Sequence, residues 1–117
     1  MKKYFLLLLL FFMLGCSSSD DSNVNYMKAK ELIINNGAIL VDVRTEDEYN
    51  SGHIEGAVLL TLDDIDKDTA YDVIGDVDNY VIVYCKSGVR SEEAYNKLKD
   101  LGYNNVYNLG SIDNWKE

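Results

Sequence analysis

The chain has 117 residues, with 20 Asp and Glu against 11 Lys and Arg, for a formal net charge of −9 at neutral pH. That balance excludes the basic footprint through which proteins hold nucleic acid. A single His and two Cys are too few for a zinc or iron cluster, so neither a metal nor another cofactor is expected.

Met1 to Gly15 has the layout of a secretory signal: Lys2 and Lys3, an apolar stretch from Phe5 to Leu14, then Gly15 before Cys16. The stretch falls short of the about 20 apolar residues a membrane span needs. Met13-Leu14-Gly15-Cys16 resembles the lipobox of bacterial lipoproteins, in which the cysteine is lipidated and becomes the acylated N-terminus. Met13 stands where that motif more often has Leu. The resemblance implies a signal peptide over residues 1–15 and an acylated, polar tether over residues 16–24. It also implies a place in the bacterial cell envelope, periplasmic or surface-exposed, with the membrane reached through a lipid on Cys16. Ser17-Ser18-Ser19-Asp20-Asp21-Ser22-Asn23 is too polar to order itself. With Cys16 acylated, Cys85 has no partner for an intramolecular disulfide.

A single domain is expected over residues 25–117. Tyr26, Ala29 and Ile33 recur at helical spacing, and Asn35-Asn36-Gly37 supplies a stop. Ala38-Ile39-Leu40-Val41 reads as a strand covered on both faces. Thr45-Glu46-Asp47-Glu48 is a capping box opening a short helix that Gly52 ends. Ile54 to Leu60 reads as a further strand interrupted by Gly56, and Thr61 to Ile74 as partly helical with Thr61 as N-cap. Within it, Asp64-Ile65-Asp66-Lys67-Asp68 starts like a calcium loop, but Thr69 replaces the required Gly and Gly75 the closing Glu. A solvated acidic surface is the expectation there.

Tyr80 to Tyr84 is the predicted central strand; Ser91 to Leu101 is a helix with Ala94, Leu98 and Leu101 on one face and Gly102 as its stop. Asn105 to Leu109 closes the pattern as a last strand. Apolar strands alternating with helices imply an α/β layer fold with a mostly parallel central sheet flanked by helices. Ligands of such sheets bind beyond the carboxyl ends of the strands, where Cys85 lies.

Cys85-Lys86-Ser87-Gly88-Val89-Arg90-Ser91 is therefore the candidate site. A buried strand end is also an ordinary home for an inert cysteine. The six residues after it argue otherwise. Ser87 and Gly88 form turns, Ser91 is a good N-cap, and such a loop curls its amides toward one point. Those amides, the helix N-terminus and the Arg90 guanidinium all favour thiolate over thiol. Lys86 is either a solvated charge or an addition to the positive rim. Asp42 and Arg44 lie near the same sheet edge, where a buried charge pair serves as scaffold.

Val41-Asp42-Val43-Arg44-Thr45, Glu48-Tyr49, Gly52-His53-Ile54-Glu55-Gly56-Ala57, the Cys85–Ser91 loop, Gly102-Tyr103, Val106-Tyr107-Asn108-Leu109-Gly110 and Trp115 together resemble a single-domain rhodanese. The resemblance spans the domain and implies the rhodanese-like three-layer fold and sulfurtransferase chemistry. In that chemistry Cys85 takes a sulfane sulfur from a small donor such as thiosulfate or a persulfide. The resulting Cys85 persulfide passes the sulfur to a thiophilic acceptor: a thiol, cyanide or a thiol protein. It implies Lys86, Ser87, Gly88, Val89, Arg90 and Ser91 as the anion-binding loop, Asp42, Arg44 and His53 as supporting residues, and a monomer. His53 is expected to brace a turn, and Ser91 to cap the helix and donate to the sulfur. Glu55 and Ser111 depart from the family's usual Pro and Gly, outside the cysteine loop.

Two other classes compete. Cysteine-dependent phosphatases and arsenate reductases also use a cysteine loop ending in Arg, but with five intervening residues where Lys86, Ser87, Gly88 and Val89 give one fewer. A binding module without turnover is the non-enzymatic alternative, which retention of Cys85 disfavours.

Overall fold

In the computed structural model, which describes residues 22–116, the elements run α1 (Tyr26–Asn36), β1 (Ile39–Asp42), α2 (Glu46–Ser51), β2 (Val58–Leu59), a 3-10 turn (Leu62–Asp64), α3 (Lys67–Ile74), β3 (Tyr80–Cys85), α4 (Val89–Asp100), β4 (Asn105–Ser111) and a second 3-10 turn (Ile112–Asn114). The four strands form one parallel sheet in the order β2-β1-β3-β4. This is the expected α/β layer architecture, a parallel central sheet flanked by helices. The expected leader, Cys16 and most of the expected tether lie outside the described residues.

The period-two alternation of β3 divides the core. Val81, Val83 and Cys85 face a cluster with Ala70 and Ile74 of α3 and Ala94 and Leu98 of α4. Ile82 and Tyr84 face the other cluster, with Ala29 and Leu32 of α1, Ile54 and Leu109. Helices thus cover both faces, which is why β1 and β3 are apolar almost throughout. One residue of β4 is extra opposite Val83 and Tyr84: Val83 pairs with Asn108, and Tyr84 with Gly110. This bulge lies beside the end of β3, where such irregularities re-aim side chains.

Local signals account for most boundaries. Asn25 caps α1 by accepting from the Lys28 amide, and Gly37 ends it in the left-handed conformation at φ 66°. The Thr45–Glu48 capping box forms as expected. The described residues depart from the sequence-based expectations in four places. The run from Ile54 to Leu60 contributes only the two-residue β2, because Ala57 donates to Ile54 O in a turn before it. The helical region after Leu60 is split, and Asp66, not Thr61, caps α3 with a side chain that accepts from the Asp68 and Thr69 amides. Ser91 is not an N-cap: α4 starts at Val89, with Gly88 as its cap. The end of the expected tether is ordered, since Val24 is buried and residues 22–24 hydrogen-bond Asn108 on the edge of β4.

No helix among the described residues is long and apolar enough to cross a membrane.

Candidate active site

Cys85 is the last residue of β3, and its side chain is fully buried. The chain then turns through Lys86, Ser87 and Gly88 into α4. Gly88 sits at φ 102°, a conformation in which a side chain is strained, and it lies against Gly110 of the β4 bulge. The Ser111 hydroxyl donates to Lys86 O at 2.7 Å and fastens the start of the loop to the end of β4.

This path turns two backbone N–H groups onto one sulfur. Gly88 N–H donates to Cys85 Sγ at 3.0 Å, and Ser91 N–H at 3.3 Å. Burial pushes the thiol up; against it work the Ser91 side chain, the Ser91 amide and the amides of Gly88 and Ser87. The hydrogen bonds prevail, and the Cys85 pKa lies below its ordinary value. Ser91 is fully buried at the third position of α4, and its hydroxyl, with one hydrogen to give to the sulfur or to the backbone, lies 3.1 Å from Gly88 O. It therefore braces the loop from inside the first helical turn. Val89 stands at the start of the helix with an exposed side chain.

Arg90 does not contact the sulfur directly. Its two terminal nitrogens donate to the two Glu48 oxygens at 2.7 and 3.0 Å, a fork-to-fork pair. Its charge reaches Cys85 only as a field already compensated by that carboxylate. Glu48 belongs to the capping box and also accepts from the Thr45 amide and hydroxyl, each at 3.0 Å. Arg90 first, then Thr45, hold the Glu48 carboxyl well below the usual range. Sequence reasoning found the capping box and missed the clamp, because nothing local marks a contact spanning 42 residues.

Asp42 and Arg44 form a buried ion pair at 2.8 Å. Asp42 also accepts from the Arg44 amide at 2.9 Å and the Tyr84 hydroxyl at 2.7 Å. The Tyr84 oxygen accepts from Ile54 N–H at 3.1 Å, and Arg44 reaches on to Gly52 O at 2.7 Å. The network ties the end of β1, β3 and the segment after α2 together, with every buried side-chain polar atom among the described residues satisfied. His53 makes its contacts within one turn: Nδ1 is 2.8 Å from Tyr49 O, and the ring stacks on Tyr49 at 3.7 Å.

A cavity of about 400 Å³ opens beside the loop, lined among others by Arg44, Asp47, Glu48, Lys86 and Asp113. Among the described residues no group of three His, Cys, Asp or Glu is placed to hold a metal ion. What the site offers is a preorganised cradle for negative charge on one sulfur atom.

Residues 26–117 match the family model described as Rhodanese-like domain. The chain is 30% identical over 94 residues to thiosulfate sulfurtransferase GlpE of Coxiella burnetii, an alignment covering 80% of this chain and 85% of that protein. It is also 30% identical over 98 residues to tRNA uridine(34) hydroxylase of Buchnera aphidicola, covering 77% of this chain and 31% of that longer protein. Among solved structures, a rhodanese with anions from E. coli superposes with a TM-score of 0.62 at 30% identity, covering 66% of this chain and 89% of that one.

Proposed function

The chain belongs to the rhodanese-like domain family, and on that premise we propose that it is a sulfurtransferase working through a persulfide on Cys85. The Cys85 thiolate attacks the outer sulfur of thiosulfate or of a persulfide. A new S–S bond forms as the donor's S–S bond breaks, and sulfite or the donor thiolate leaves with the bonding pair. An acceptor thiolate or cyanide then attacks the outer sulfur of the Cys85 persulfide and restores the thiolate. No external oxidant or reductant is consumed. The name of the Coxiella relative supports the reaction class.

The observation that carries this reading is the convergence of the Gly88 and Ser91 amides on Sγ. Donors fixed at that distance favour sulfur as thiolate, the nucleophilic form, and do the same for a persulfide anion. Thiocyanate formation from thiosulfate and cyanide, present in the wild type and lost in a folded Cys85→Ser variant, tests it. Turnover that survives the substitution overturns it.

We further propose that Cys16 carries lipid and anchors the protein, acting as a monomer, in the bacterial envelope. The Met13-Leu14-Gly15-Cys16 motif and the polar stretch after it support this. Palmitate labelling of the full-length chain, abolished by Cys16→Ala, is the expected result; labelling that persists refutes it.

A further inference from the structure

Both guanidinium groups around the Cys85 loop are occupied by carboxylates. Arg44 is held by Asp42 and Gly52 O, and Arg90 by the two oxygens of Glu48. Lys86 is an exposed cation at the mouth, while Asp47 and Asp113 line the same cavity. A solvated ammonium at such a rim is screened and adds little. The amides of the loop remain, and they act on the sulfur.

We propose that Glu48 is a specificity-determining residue, which by holding both arms of Arg90 sets the site against dianionic sulfur donors and in favour of monoanionic ones, the alkyl persulfides and thiosulfonates. The inference rests on the sulfur-transfer reading above and names its donor class. A dianion arriving at the loop finds both guanidinium groups already held, Arg44 by Asp42 and Arg90 by Glu48. A monoanion brings one charge fewer and depends less on a guanidinium that is already engaged. The clamp is fixed in advance: Glu48 is held by Thr45 as well as Arg90, so a donor must break a preorganised, two-pronged bond to recruit the arginine.

The chemistry is balanced for the favoured donors. The Cys85 thiolate attacks the outer sulfur of R–S–S⁻, a new S–S bond to Cys85 forms, the donor's own S–S bond breaks, and the thiolate R–S⁻ departs with the bonding pair to take a proton from solvent. A thiosulfonate reacts in the same way with a sulfinate as leaving group.

The test uses the full-length protein and two donors that differ by one negative charge, thiosulfate and ethanethiosulfonate. The wild type is expected to show the larger kcat/KM for ethanethiosulfonate. Glu48→Gln keeps an acceptor for the Thr45 cap and frees Arg90, and its KM for thiosulfate should fall about tenfold, the size of one charge-assisted hydrogen bond. Its KM for ethanethiosulfonate should fall much less, and adding Arg90→Ala should remove the gain. A thiosulfate KM that is unchanged or raised in Glu48→Gln, or an equal fall for both donors, overturns the proposal. If that variant does not fold, a wild-type preference for thiosulfate overturns it on its own. Absence of turnover with both donors would instead refute the sulfur-transfer reading itself, and this inference with it.

Discussion

Tyr84 and Cys85 are consecutive residues of β3 that face opposite sides of the sheet, and each organises a different polar construction. The Tyr84 hydroxyl joins Ile54 N–H to the Asp42 carboxylate under α1, while Cys85 Sγ receives the Gly88 and Ser91 amides under α4. Because one strand end carries both, the network on the α1 side fixes the position from which the sulfur is presented. The same pleat puts the Tyr84 ring and the Cys85 thiol into different core clusters, on opposite faces of the sheet.

Tyr84→Phe tests that division. It leaves Ile54 N–H and one Asp42 lone pair without their buried partner, which costs about 1–3 kcal/mol. For a domain of this size that corresponds to a fall in Tm of roughly 4–8 °C per kcal/mol. The Cys85 titration should not move, since the hydroxyl is on the other face. Thermal melting and thiolate absorbance read the two effects separately.

Ser91→Ala tests the origin of the thiolate. The Ser91 side chain is the strongest of the groups that hold the Cys85 pKa down against burial, so its removal should move the thiol titration upward. In a Cys16→Ser background Cys85 is the sole thiol of the chain, and thiolate absorbance against pH follows it alone. A midpoint that does not rise would show that the amides suffice.

Glu48→Gln should change how stability depends on acid. Glu48 is held below its ordinary value of 4.5 by Arg90 and then Thr45. A carboxyl depressed on folding stabilises fully above its unfolded pKa, and that contribution is lost as pH falls toward the folded one. The wild type should therefore exceed the variant in stability most above pH 4.5, with the two curves converging at lower pH. Denaturant unfolding across that range reads the difference. Parallel curves would mean that the ion pair contributes nothing.

Much of the molecule was legible because its signals are local. The apolar run Tyr80–Tyr84, the Thr45–Glu48 box and the stop at Gly37 each lie within one turn or strand, and each formed as read, the strand running one residue further to Cys85. The position of Cys85 followed from them. What escaped depends on distant or competing partners. Thr61 stands before the 3-10 turn without a side-chain cap bond, whereas Asp66 and Thr69 form the capping box that starts α3. Ser91 reads as a cap by type, yet Gly88, set against the β4 bulge, starts the helix earlier and turns the Ser91 amide onto the sulfur. Arg90 reads as a free cation until the fold brings Glu48 to it.

The central claim is that the loop amides make Cys85 a sulfur carrier, and the most direct measurement is intact-protein mass spectrometry after exposure to a sulfane donor without acceptor. In a Cys16→Ser background the chain holds no second thiol to discharge the carrier. The expected result is a gain of one sulfur atom per chain, localised to Cys85, absent in Cys85→Ser and removed by cyanide or a small dithiol. A wild-type chain that stays unmodified by thiosulfate, ethanethiosulfonate and alkyl persulfide alike would contradict it.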